Sequence, residues 1–176
     1  VKAWLDENFE NPDWDSVATR CVGCGACAFV CPACHCFDIV DEGNIGLEGH
    51  SMGGWAVLIA AAAFPDGYRS VVIEGSSTGT SGAPDATSVF PRNLAVVFSR
   101  YDEFSGLMWG TPVAADVPAS DKLMKAFGTT DPVEVGRVYG AVEEGTARVL
   151  HQPPVIHPAD HFSRRAIGHA IDWFQT

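Results

Sequence analysis

Gly49-His50-Ser51-Met52-Gly53-Gly54 stands between a short alternating run, Asn44 to Glu48 with Ile45 and Leu47 apolar, and an Ala-rich run from Trp55 to Phe64. The first run reads as a strand and the second as a helix. A Gly-x-Ser-x-Gly in that setting presents a serine on a sharp strand-to-helix turn, where neighbouring residues cannot carry bulk. The first turn of the following helix aims its free N–H groups at the oxygen of an acyl intermediate. Ser51 is therefore the candidate nucleophile and the Met52 N–H the candidate oxyanion donor. An ordinary strand-to-helix connection can use the same residues, and the downstream sequence has to decide.

Downstream the chain alternates strand and helix, as a parallel sheet requires. Ser70 to Glu74 and Asn93 to Ser99 read as short buried strands. Residues 75–88, rich in Gly, Ser, Thr and Pro, read as a mobile loop. Arg100-Tyr101-Asp102-Glu103 leaves the C-terminal end of the second strand, where ligand sites of parallel sheets gather. Asp102 is the candidate acid of a Ser-His-Asp relay, with Glu103 as the second choice.

Residues 104–135 are broken by Pro112, Pro118 and Pro132 and contain one short helix, 121–127. They suit a cap over a site, lined by Leu107, Met108 and Trp109. Residues 136–142 and 146–151 read as a hairpin around Glu143-Glu144-Gly145. An amphipathic helix, 164–174, closes the chain. His161, between the last strand and the last helix, is the candidate base. His157 shares its loop and is the alternative, and His157, Asp160 and His161 together offer a weaker metal reading. His50, His151 and His169 read as structural.

All six cysteines lie between positions 21 and 36. Cys21-x2-Cys24-x2-Cys27-x3-Cys31-Pro32 has the spacing in which three thiolates wrap one cubic iron–sulfur cluster and the fourth, before proline, ligates the other cluster of a pair. With no second run, Cys31, or Cys34 or Cys36 in its place, would have to complete the first. A zinc site or a disulfide knot is the competing reading. Residues 14–38 resemble the [4Fe–4S] ferredoxin-type segment of anaerobic sulfite reductase and hydrogenase electron-transfer subunits. That resemblance implies a [4Fe–4S] cofactor on Cys21, Cys24, Cys27 and Cys31 and a redox partner protein. It also implies a second cysteine run, which this sequence lacks.

Residues 44–176 resemble the C-terminal half of an α/β-hydrolase family protein. The elbow, Ser99 to Phe104 and Ala159 to Ser163 fall where that family keeps its nucleophile, acid and base. The resemblance implies esterase-type hydrolysis of a small-molecule acyl substrate by Ser51, His161 and Asp102. It also implies about four strands before the elbow and a second oxyanion donor among them. The cysteine segment stands in their place, so weak or absent activity is expected, together with self-association through an open sheet edge.

The expected architecture is thus α/β: a partial, mostly parallel hydrolase sheet over 44–176 behind a small cysteine-rich ferredoxin-like segment over 1–43. The boundary falls at the turn Asp41-Glu42-Gly43. Of 176 residues, 47% are hydrophobic, and the net charge is −11 with no basic cluster. Nucleic acid is a poor partner for such a chain. No apolar run is long enough to span a bilayer and the first residues do not form a signal peptide, so a cytoplasmic location is expected. Three functions from different classes fit: a serine hydrolase, an iron–sulfur electron-transfer module, and a chimera of unrelated fragments with no selected activity.

Overall fold

The computed structural model describes residues 45–176. The readings on Cys21, Cys24, Cys27, Cys31, Cys34 and Cys36, and the boundary at 43, lie outside the described residues. Among those described, four strands form one parallel sheet in the order β1 (Gly46–His50), β2 (Ser70–Glu74), β3 (Leu94–Val97), β4 (Arg148–His151). β2 and β3 carry apolar residues on both faces because helices cover the sheet from both sides. Leu47, Val71, Ile73, Leu94 and Val96 share a core with Val57, Leu58 and Ala61 of α1 (Met52–Ala63). On the opposite face Val72, Ala95, Val97 and Val149 meet Ala166, Ala170 and Trp173 of α4 (Arg164–Phe174). The Trp173 indole N–H donates to the Asn93 carbonyl at 2.9 Å, fixing α4 to the start of β3.

Between β3 and β4 the chain forms α2 (Ser105–Trp109), a 3-10 segment (Ala114–Ala119) and α3 (Asp121–Phe127). α3 starts where the Ser120 hydroxyl accepts from the Leu123 N–H and stops at Gly128, in the left-handed region at φ 65°. Both signals match the residues that favour helix ends. The helix α2 had no sequence signal, and Met108 and Trp109 of it are buried in the core, whereas Leu107 is exposed.

The hairpin expected over 136–151 is corrected to a single strand. β4 bonds parallel to β3, and only one antiparallel bridge, Tyr139 to Arg148, joins it to the preceding segment. Gly136 and Gly140 have φ of 82° and 75°, which no strand sustains. Arg148 is buried and donates to the carbonyls of Thr87, Ala126 and Ala147. Burial pulls its guanidinium down to about 10. The 75–88 segment is irregular, as read, but Ser76, Ser77 and Thr78 are buried within it.

Candidate functional site

β1 ends at His50 and the chain turns at Ser51, which has φ 56° and ψ −122°. For a non-glycine residue this conformation costs roughly 1–3 kcal/mol and is held only by its surroundings. Those surroundings are present: the Ser51 N–H donates to the Glu74 carbonyl at 2.8 Å, and the Ser76 hydroxyl donates to the Ser51 carbonyl at 2.6 Å. A side chain at Gly49 would run into the Gly53 carbonyl and stand 2.7 Å from the Gly54 nitrogen. The elbow therefore needs a glycine at 49 for close approach of its own two limbs. Met52 opens α1, in the first turn where N–H groups have no intrahelical acceptor.

Asp102 and His157, the candidate acid and the alternative candidate base, meet beyond the C-terminal ends of β3 and β4. Asp102, almost fully buried, accepts from the Phe104 N–H through Oδ1 at 2.8 Å. Its Oδ2 lies 2.7 Å from Nδ1 of His157. The Glu103 carboxylate accepts from the His157 main-chain N–H at 3.1 Å, so neighbouring acids hold one histidine by ring and by backbone. Phe104 packs edge-on to the His157 ring at 4.8 Å between centroids.

The partner of Asp102 is thus His157, and the sequence expectation of His161 in that position is corrected. The residues from His157 to Phe162 form a 3-10 turn with Pro158 in its first turn. That turn presents His157 at its start to the strand ends. His161, one turn on, packs against His50 at 3.9 Å between centroids. Burial lowers the His157 imidazole, but the Asp102 hydrogen bond and charge outweigh it and the net shift is upward. His161 is shifted downward, by burial and by the nearby His157.

Ser51 and His157 border the same residue. Gly75, at φ 50°, follows Glu74, which accepts from Ser51, and a side chain on Gly75 would stand 2.9 Å from His157 Nδ1 and from His50 Nε2. The sequence reading missed Gly75 and Ser76 because they sit in a stretch whose composition signals only a loop.

Two acids, Asp160 and Glu74, are buried. Asp160 accepts the Ser99 hydroxyl through Oδ1, while its Oδ2 has no hydrogen-bond partner among the described residues. Burial is the main cause that lifts Asp160 to about 6. Glu74 is lifted to about 8 by burial, with Glu48 and Asp160 adding to it. No group of three His, Cys, Asp or Glu side chains among the described residues has the geometry for a metal ion, and His157, Asp160 and His161 do not form one. No helix among them is long and apolar enough to cross a membrane.

Comparison with known proteins bears on the cysteine segment and runs on into the elbow. Residues 20–62 match the family model of a 4Fe-4S dicluster domain. A 37-residue stretch, 21% of this chain, is 43% identical to sulfhydrogenase 2 subunit beta of Pyrococcus furiosus and spans 11% of that relative's length. The ferredoxin-type resemblance of the cysteine segment is therefore supported. No solved structure matches the chain. The α/β sheet with helices on both faces is established by its own topology, and no match assigns it to a hydrolase family.

Proposed function

We propose that the chain carries two chemically separate functions: an iron–sulfur electron-transfer segment within 1–43 and a serine-hydrolase-type acyl-transfer site within 44–176. The comparisons favour the first reading, through the 4Fe-4S dicluster match that covers all six cysteines. Cys21, Cys24, Cys27 and Cys31 offer the thiolates that one cubic cluster takes, and the cluster would supply one-electron transfer to a redox partner. Two clusters would need four thiolates each, and six cysteines complete only one such set. Free thiolates of this kind suit a reducing, cytoplasmic compartment.

The second reading rests on one observation: the 2.7 Å contact of Asp102 with His157, beside an elbow that holds Ser51 at φ 56°. In this reading the sheet is part of an α/β-hydrolase fold. Ser51 Oγ adds to the acyl carbon of a small ester while His157 Nε2 takes its proton. Asp102 holds His157 Nδ1–H and stabilises the imidazolium that forms. The Met52 N–H donates to the developing oxyanion. His157 then returns the proton to the leaving alkoxide, and the acyl-Ser51 is hydrolysed by water in the reverse sense.

Two experiments separate these functions from each other and from the reading of the chain as a chimera with no activity. Anaerobic reconstitution with iron and sulfide should give bound iron and visible charge-transfer absorbance that Cys21→Ser and Cys24→Ser abolish. Reconstituted protein with zinc and no iron would reject the cluster. A fluorophosphonate probe should label the parent, and Ser51→Ala and His157→Ala should lose labelling while His161→Ala keeps it. Labelling that survives Ser51→Ala would reject the acyl-transfer site, and loss in His161→Ala alone would return the base to His161.

A further inference from the structure

His157 is held by three hydrogen bonds, and they come from different elements. Its Nδ1 meets Asp102 at 2.7 Å and its main-chain N–H meets Glu103 at 3.1 Å, both from the segment that follows β3. Its main-chain carbonyl lies 3.1 Å from Nε2 of His50, the last residue of β1 and the neighbour of Ser51. Of the three, only the His50 contact joins the base to the elbow that carries the nucleophile.

The chemistry of that contact is determined by its acceptor. A carbonyl oxygen can only accept, so His50 Nε2 carries the proton and Nδ1 is bare. The ring is packed against His157 at 4.6 Å and His161 at 3.9 Å between centroids. Burial, with these two histidines adding, pulls its pKa down to about 3, so His50 is a neutral donor throughout the working range. The charged neighbours do not displace the bond. Asp160 Oδ2 stands 3.8 Å from His50 Nε2, beyond hydrogen-bond reach. The close approach of the two rings also depends on Gly75, where any side chain would meet both.

We propose that His50 is a positioning residue whose Nε2–H, donated to the His157 carbonyl, ties the histidine loop to the elbow and sets the spacing between Ser51 and His157. The catalytic consequence rests on the Ser51–His157–Asp102 reading above; the tie itself does not. Displacing a catalytic group by about 1 Å can cost on the order of a hundredfold in rate. Removing the donor is therefore expected to slow Ser51 chemistry by roughly 10–100-fold.

The test uses the full chain and two complementary variants. His50→Gln keeps a side-chain N–H donor and loses the ring, whereas His50→Phe keeps ring volume and loses the donor. Two quantities are read: the second-order rate of fluorophosphonate labelling at Ser51, and the solvent-exchange rate of the low-field proton resonance of His157 Nδ1–H against Asp102. The proposal expects slower labelling and faster exchange in His50→Phe, with His50→Gln within a few-fold of the parent. The reverse pattern, equal damage in both variants, or parental behaviour in both would overturn it. If the parent and Ser51→Ala label equally, the acyl-transfer reading has failed, and the exchange rate alone decides whether His50 holds the His157 loop.

Discussion

The two glycines that flank the serine in the Gly-x-Ser-x-Gly motif should respond to alanine in opposite directions. A Cβ at Gly49 meets the Gly53 carbonyl and stands 2.7 Å from the Gly54 nitrogen, and both obstacles are backbone, which no rotamer change can clear. Overpacking of this kind costs about 1–3 kcal/mol, and a clash with main chain belongs at the upper end. At about 2–4 °C per kcal/mol for a chain of this size, Gly49→Ala should lower Tm by about 6–12 °C. Gly53 lies in α1 and its added Cβ meets nothing within 4 Å among the described residues. Replacing a helical glycine by alanine there should stabilise by about 0.5–1 kcal/mol and raise Tm by about 1–4 °C. Scanning calorimetry of the parent and the two variants at one pH reads both shifts. Equal Tm values for parent and Gly49→Ala, or a loss for Gly53→Ala as large as for Gly49→Ala, would show that the limbs of the elbow are not packed as described.

Two further predictions concern charge. Glu74, near 4.5 when unfolded and raised to about 8 by burial, Glu48 and Asp160, binds a proton in the folded state that the unfolded chain has lost between those values, so stability falls as pH rises across that window. Glu74→Gln removes this slope, and urea titrations should find it more stable than the parent by roughly 1–3 kcal/mol at pH 8 and little different at pH 4; a constant difference would refute the assignment. Asp102→Asn should slow Ser51 labelling by roughly 10³–10⁴-fold, the scale known for loss of the acid in such relays. It should also move the acid limb of the residual labelling to lower pH, because burial still lowers His157 once the hydrogen bond and charge that raise it are gone. A limb that stays in place would mean that Asp102 does not set the His157 charge.

The parts of the fold that were legible in the sequence are those where one local signal suffices. Ser70 to Glu74 is β-branched and apolar at its centre, and it is a strand on both ends as read. The helix 121–127 begins at Ser120 and ends before Gly128, and its bounds follow from those two caps. The 136–151 region failed because alternation and a turn say that two segments can pair, not which partner each prefers. β4 takes β3 as its partner over four residues, and Val149 and Leu150 are buried there. The histidine that meets Asp102 was not legible for a related reason. His157 and His161 are four residues apart in one loop, and only the 3-10 turn beginning at His157 selects which of them faces Asp102.

The two proposed functions do not compete for residues. The match to the dicluster domain runs through residue 62 and so crosses β1, the elbow and most of α1, yet residues 45–62 contain no cysteine. A cluster needs thiolates, and nothing in its binding calls for Ser51 at φ 56°, for a glycine at 49, or for the Asp102–His157 contact. Conversely, the residues proposed for acyl transfer, Ser51, Met52, Asp102 and His157, all lie after position 44. If the two proposed sites act independently, serine substitutions at Cys21 and Cys24 should abolish bound iron and leave the rate of Ser51 labelling within about twofold of the parent. Coupled loss of both signals would mean that the cysteine segment shapes the elbow, and the division of the chain at 43 would then have to be abandoned.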